Sequence, residues 1–292
     1  MSQINDQIFI QDHQWLIFQE QENPRKDQRD VALAYQDAFL RYILDYNDRH
    51  PEGCPHAILH FYPIFTPTVY LGAKDKLLKN FPAAVDYLNQ AGHTVSLRPH
   101  GGLAVVEDEG IINLGIATDS RHIDLSIDAA YQLFIDIVQR TLTDYDLKVE
   151  AYEIIDSYCP GKYDIVVAGK KIGGIAQRRY KEAVTTAAYI GLNGDQIQRG
   201  EMIKQFYQIG EFDDRYPRIN PHSMTTLSDL TGQEITVAHY QDQVIQTFQQ
   251  LSQVRLGDYQ DPVLEAFYQP LYEKAYQKSQ KIQVNEVNAQ ER

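Results

Sequence analysis

The chain has 292 residues, 43% of them hydrophobic and 23% charged, an ordinary globular composition that excludes general disorder. No run approaches the ~18 apolar residues of a membrane span, and MSQINDQIFIQDHQ lacks the basic and apolar regions of a signal peptide. The formal charge of −13 argues against nonspecific binding to nucleic acid or an anionic membrane. Two cysteines, Cys54 and Cys159, cannot build a disulfide framework, so a reducing cytoplasm is expected.

Residues 1–30 are polar and glutamine-rich around Trp15-Leu16-Ile17-Phe18, which reads as an edge strand. The segment is expected to be an extension packing on the core, followed by a main domain over 31–252 (the catalytic domain under the resemblance given below) and a C-terminal helix with a frayed tail over 253–292. Asp30 stands where an N-cap belongs, ahead of VALAYQDAFLRYIL, whose apolar positions approximate helical spacing. HPEGCP ends that helix. AILHFYPIF and TVYLG read as strands interrupted by Pro63 and Pro67. A short helix is predicted over 81–91 and strands over 94–98, 103–106 and 111–116, with an acidic turn from Glu107 to Gly110. An amphipathic helix follows Ser126, with Leu133, Phe134, Ile137, Val138 and Leu142 on one face. Strands 164–168 and 171–177 form a hairpin around a predicted Gly169-Lys170 turn. Strand 183–192 and helices over 201–208, 237–252 and about 261–281 complete the chain. Hairpins without a regular βαβ repeat predict an α+β fold with a mixed or antiparallel sheet.

Several residues could carry chemistry. Gly101-Gly102 lets a ligand approach the backbone, or is simply a turn. His100 beside it is a base, a donor or a surface histidine. Cys159, in the loop SYCPGKYD, is either a small buried hydrophobe or a nucleophile whose thiolate Lys162, Lys170 and Lys171 favour. No second cysteine clusters with it, so no metal site is expected. Cys54 lacks basic neighbours and reads as structural. Lys171 is an exposed strand charge, or a donor to a carbonyl and a general base. Gly173-Gly174 weakens its strand unless something approaches the backbone closely. From Lys162 to Lys181 six basic residues face one acid, Asp164; this is a solvated hairpin face or a surface for an acidic partner. Phosphate-loop, dinucleotide, G-x-S-x-G, H-E-x-x-H and C-x-x-C patterns are missing.

Taken together, Arg98-Pro99-His100-Gly101-Gly102-Leu103-Ala104-Val105, with Asp108 and Gly110, resembles the arginine–glycine-rich motif of the lipoate-protein ligase and octanoyltransferase superfamily. Asp164 to Val167 and GKKIGGIAQRR from Gly169 resemble its lysine motif, with Lys171 in the place of the invariant lysine. The resemblance spans roughly 31–235. SYCPG looks most like the amidotransferase branch, and the ligase-type glycine triplet is reduced to Gly101-Gly102-Leu103.

This resemblance implies a biotin/lipoyl protein ligase-like fold, a mixed, largely antiparallel sheet flanked by helices. It implies an acyltransferase moving octanoyl or lipoyl from the lysine of glycine cleavage H protein to the lysine of E2 lipoyl domains. Cys159 would form the thioester and Lys171 would carry protons or hold the carbonyl. Arg98, His100, Gly101, Gly102, Gly173 and Gly174 would bind substrate. Val105, Ile112 and Leu114 are core residues or walls of an acyl slot, and Arg178 and Arg179 are candidates for carrier docking. No cofactor, metal, nucleic acid or membrane is expected. The alternatives are an octanoyl-acyl-carrier-protein donor, a lipoate ligase needing ATP and Mg but not Cys159, and a noncatalytic carrier-binding regulatory protein. Neither end shows the basic winged helix of a biotin repressor.

Overall fold

The computed structural model describes residues 4–28, 30–98 and 101–290. A short helix α1 (Asp6–Gln11) leads into strand β1 (Gln14–Gln19), and α2 (Val31–Arg49) follows. Asp30 takes the N-cap position of α2 with φ +67°, in the left-handed region, and makes no side-chain capping bond. Next come β2 (His56–Phe61), β3 (Thr68–Leu71), α3 (Phe81–Gln90) and β4 (Thr94–Leu97). Strands β5 (Val105–Glu107) and β6 (Ile111–Asp119) precede α4 (Ile127–Thr141), which Ser126 caps by accepting from the Ala129 N–H. Strands β7 (Val149–Ala151), β8 (Ile165–Val167), β9 (Lys170–Tyr180) and β10 (Ala183–Gly191) follow. The chain closes with α5 (Gln196–Ile209), α6 (Leu227–Thr231), α7 (Val237–Leu251), β11 (Val254–Leu256) and α8 (Pro262–Gln290).

Eight strands form the main sheet in the order β11-β1-β2-β6-β10-β9-β8-β7. Among the described residues of this sheet, β1 pairs in parallel with β11 on one side and β2 on the other, and the remaining strand pairs are antiparallel. The expected α+β fold with a mixed, largely antiparallel sheet is the fold found. Trp15-Leu16-Ile17-Phe18 is an interior strand, not the edge its polar surroundings suggest. An unbroken apolar run suits burial on both faces. Trp15 and Ile17 pack with α4 and α7, and Leu16 and Phe18 with α2 and α8. The edge belongs to β11. Helix α8 continues through Pro270 to Gln290, past the end predicted near 281. The β8–β9 turn is also one residue off the prediction. Ala168 and Gly169, both with positive φ, are its central residues, and Lys170 already belongs to β9.

A second sheet, β4-β3-β5, stands apart. Side chains on a strand alternate between faces. Val69, Leu71, Val95 and Val106 pack with α3 and α5. Thr68, Tyr70, Ser96, Val105 and Glu107 turn the other way and line two cavities. Among the described residues no helix is long and apolar enough to cross a membrane.

Trp15 tests how firmly the N-terminal segment belongs to the core. It is fully buried, edge-on to Phe248 at 4.6 Å, and its indole N–H donates to the Ile10 carbonyl at 3.0 Å. Trp15→Ala should cost about 3–5 kcal/mol in urea unfolding; a segment resting loosely on the core would give well under 1 kcal/mol.

Candidate active site

Cys159 sits on the loop between β7 and β8, with φ +46°. Two donors converge on its sulfur. The Arg98 guanidinium reaches Sγ from Nη2 at 3.0 Å, and the Leu103 backbone N–H points at it from 3.2 Å. The same Arg98 nitrogen donates to the Leu103 carbonyl at 2.5 Å, which fixes the glycine-rich loop against the guanidinium. Burial works against the Arg98 charge, but Cys159 and Asp75 outweigh it and raise its pKa. Gly102 has φ +105°, and a Cβ there would lie 2.3 Å from Arg98 Nη2 and 2.9 Å from Cys159 Sγ. The glycine is therefore needed for the sulfur to meet its donors.

Lys171 is not an exposed strand charge. It is fully buried, at the start of β9. Its ammonium donates to the Cys159 carbonyl at 2.7 Å, the Tyr158 carbonyl at 3.0 Å and Ser157 Oγ at 3.2 Å, and pairs with Asp164 Oδ1 at 2.9 Å. Burial raises the Asp164 pKa, with Lys171 pulling the other way. Lys171 thus grips the loop that carries Cys159 by its backbone.

Cys159 opens on a cavity of about 330 Å³. Gly101, Gly102, Arg98, Val105 and Gly174 line it, with Ala176, Ala187 and Tyr189. Gly173 does not. A Cβ there would come within 2.2 Å of the Tyr189 carbonyl, so this glycine serves the β9–β10 pairing. Ile112 and Leu114 belong to the core beneath α4. His100 lies outside the described residues. Arg178 is ion-paired with Asp37, and Arg179 is exposed and donates to the Leu125 carbonyl at 2.7 Å. Neither lines the cavity. Cys54 is exposed and does not line the cavity. Among the described residues no group of three His, Cys, Asp or Glu side chains is placed to hold a metal.

Sequence reasoning missed Tyr70, Tyr189, Asp75, Glu107 and the role of Asp164. Asp164 alone had a signal, as the one acid in the basic window. Burial pushes the Glu107 pKa up to about 8 while the Asn113 amide donates to it at 2.6 Å. Burial likewise lifts Asp75 to about 6, where the Gly72 N–H and the Tyr207 hydroxyl donate to it. The Tyr207 oxygen in turn accepts from the Ala104 N–H at 3.2 Å, which steadies the glycine-rich loop. The Tyr189 hydroxyl is buried on the cavity wall without a hydrogen-bond partner among the described residues.

Residues 29–249 match the family described as Lipoyl protein ligase A/B catalytic domain. An octanoyl-[GcvH]:protein N-octanoyltransferase of Geobacillus kaustophilus is 37% identical over 174 residues, 58% of this chain and 62% of that protein. A lipoyl-[GcvH]:protein N-lipoyltransferase of Listeria monocytogenes is 36% identical over 174 residues, 58% of this chain and 63% of that protein. The chain thus matches less than two thirds of the length of these relatives. The structure of a lipoate-protein ligase A bound with ATP superposes with a TM-score of 0.62 at 20% identity. It covers 90% of this chain and 94% of that one, which shows a shared fold.

Glu107 gives the site a pH signature. Its folded pKa, about 8, lies above the ordinary value of 4.5, so unfolding releases a proton between those values. Its contribution to stability is complete below about pH 4.5 and is lost as pH rises through about 8. Glu107→Gln keeps the neutral shape. The variant should melt at a progressively higher temperature relative to the parent as pH rises from 5 to 9. A pH-independent difference would show that Glu107 is ionised in the folded protein.

Proposed function

The chain belongs to the lipoyl protein ligase A/B catalytic-domain family, and from that premise we propose that it is a cysteine-dependent protein N-octanoyltransferase. The observation that carries this reading is the sulfur of Cys159, set at the wall of a cavity with the Arg98 guanidinium and the Leu103 N–H aimed at it. The donor is the octanoyl (or lipoyl) amide on the lysine of an H protein, in line with the GcvH-linked donors for which the relatives are named.

In the first half-reaction Sγ attacks the amide carbonyl. The C–N bond breaks, and the carrier lysine leaves as the amine with the thiol's proton. In the second, the lysine amine of an E2 lipoyl domain attacks the thioester. The C–S bond breaks and the sulfur regains a proton. Splitting the exchange this way is covalent catalysis. One amide replaces another, so no nucleotide or metal enters. Arg98 and Leu103 N–H stabilise negative charge on the sulfur, and N–H groups of the glycine-rich loop serve the tetrahedral oxygen. Lys171 holds the nucleophile loop, and it can share a proton with the reacting carbonyl once substrate draws it off one loop oxygen. The two unpaired cysteines suit a reducing cytoplasm.

The test is intact mass of the protein mixed with octanoyl-H protein and an unmodified lipoyl domain, without ATP. Octanoyl mass on Cys159, then on the lipoyl domain, is expected. Transfer only from octanoyl-acyl carrier protein, or only from free acid with ATP, would replace this reading. Cys159→Ala should fold normally and transfer nothing. Lys171→Ala should slow acyl-enzyme formation by about 100-fold or more, in the range of a lost proton-transfer group. It should also cost about 3–5 kcal/mol, since it strands the buried Asp164.

For carrier docking the choice falls on Arg179, because Arg178 is engaged by Asp37. Arg179→Glu should raise KM for an acidic carrier several-fold and spare kcat, with the difference shrinking at high salt. An unchanged KM at low salt would remove Arg179 from the docking surface.

A further inference from the structure

A second cavity, of about 200 Å³, lies beside the first. Among the described residues, Tyr70 is the one that lines both. The register of the small sheet explains this. Tyr70 on the central strand β3 pairs with Val105 of β5 on one side and Ser96 of β4 on the other. Val105 lines the first cavity and Ser96 the second. A step across that row therefore passes from one cavity to the other over the Tyr70 ring. Tyr70 is buried, and its backbone is pinned by strands on both sides, so the ring cannot swing away with its strand. Beyond it, Val31, Ala32 and Ile64 form an apolar stretch of the second chamber, whose remaining lining includes the charged Glu20, Lys26 and Asp30.

We propose that Tyr70 is the partition that closes the acyl cavity against this chamber and so sets the longest acyl chain accepted. This rests on the acyl-transfer reading above. Each methylene that gains burial is worth a factor of about four in affinity. Four extra methylenes that the wall keeps out therefore forfeit up to about two hundredfold. Without the ring they would enter the chamber and recover part of it.

The experiment is single-turnover acylation of Cys159, read by intact mass, from H protein loaded with six-, eight-, ten-, twelve- or fourteen-carbon chains. The parent and Tyr70→Phe should both fall steeply between the eight- and twelve-carbon donors, because Phe keeps the wall. Tyr70→Val should raise the twelve-to-eight rate ratio at least tenfold. Ser96→Leu added to Tyr70→Val should refill the chamber and lower the ratio again. Tyr70→Leu provides the same comparison if the valine protein folds poorly. A ratio unchanged in both truncations, or a parent that takes the fourteen-carbon chain as fast as the eight-carbon one, would overturn the assignment. Should the parent take no eight-carbon group at all, the acyl-transfer reading itself fails, which is a separate outcome.

Discussion

The buried ammonium of Lys171 is the constraint on which the site depends. A charge out of water costs several kcal/mol unless a counter-charge and hydrogen bonds replace the solvent. Here Asp164 supplies the charge, and three oxygens of the 157–159 loop take up the donors. The loop cannot relax without leaving that charge unsatisfied. This is why Cys159 can be held with φ +46°, a conformation that costs an ordinary residue about 1–3 kcal/mol. The strain aims the sulfur, and the ion pair underneath keeps it there.

The other half of the site comes from the second sheet. Arg98 follows β4 directly, and Leu103 lies just before β5, so both donors to the sulfur belong to one small layer. The main sheet supplies the nucleophile's loop and its lysine. Cys159 is where the two layers touch, and the cavity is the space left as they diverge. Its floor is made of Gly174, Ala176 and Ala187 on neighbouring strands β9 and β10. Small residues there keep the gap open without breaking the sheet.

Much of this was legible in the sequence, for physical reasons that differ by element. The predicted helices 81–91 and 237–252 lie within a residue of α3 and α7, because one apolar face recurs at helical spacing. Strands β7 and β11 have three residues each and exist through pairing alone, which leaves no periodic trace. The Trp15–Phe18 run carried a usable signal, since it lacks the alternation of a half-exposed strand. At the site, the motifs pointed to Cys159, Lys171, Arg98 and Gly102, and the structure brings all four together. Their division of labour was not legible. Whether Lys171 faced solvent or a buried partner depended on a hairpin register, and whether Gly173 or Gly174 met the cavity depended on which strand lay alongside. Tyr70, Tyr189 and Glu107 converge from strands far apart in the chain, so no local pattern could join them.

The burial that lifts the Glu107 pKa also bears on the site's chemistry. An ionised carboxylate on the cavity wall would hold water, and water would screen both the acyl chain and the sulfur. Burial favours the neutral acid, to which the Asn113 amide donates, over a charge on that wall. Each methylene buried against Val105, Ala187 or Ala176 gains about 0.8 kcal/mol. The donors from Arg98 and Leu103 act on the sulfur at the edge of the same cavity. Under the acyl-transfer reading, chain recognition and nucleophile activation are therefore not separate devices. Both depend on the same cavity wall, where burial holds Glu107 towards its neutral form although Arg98 and Arg199 pull the other way.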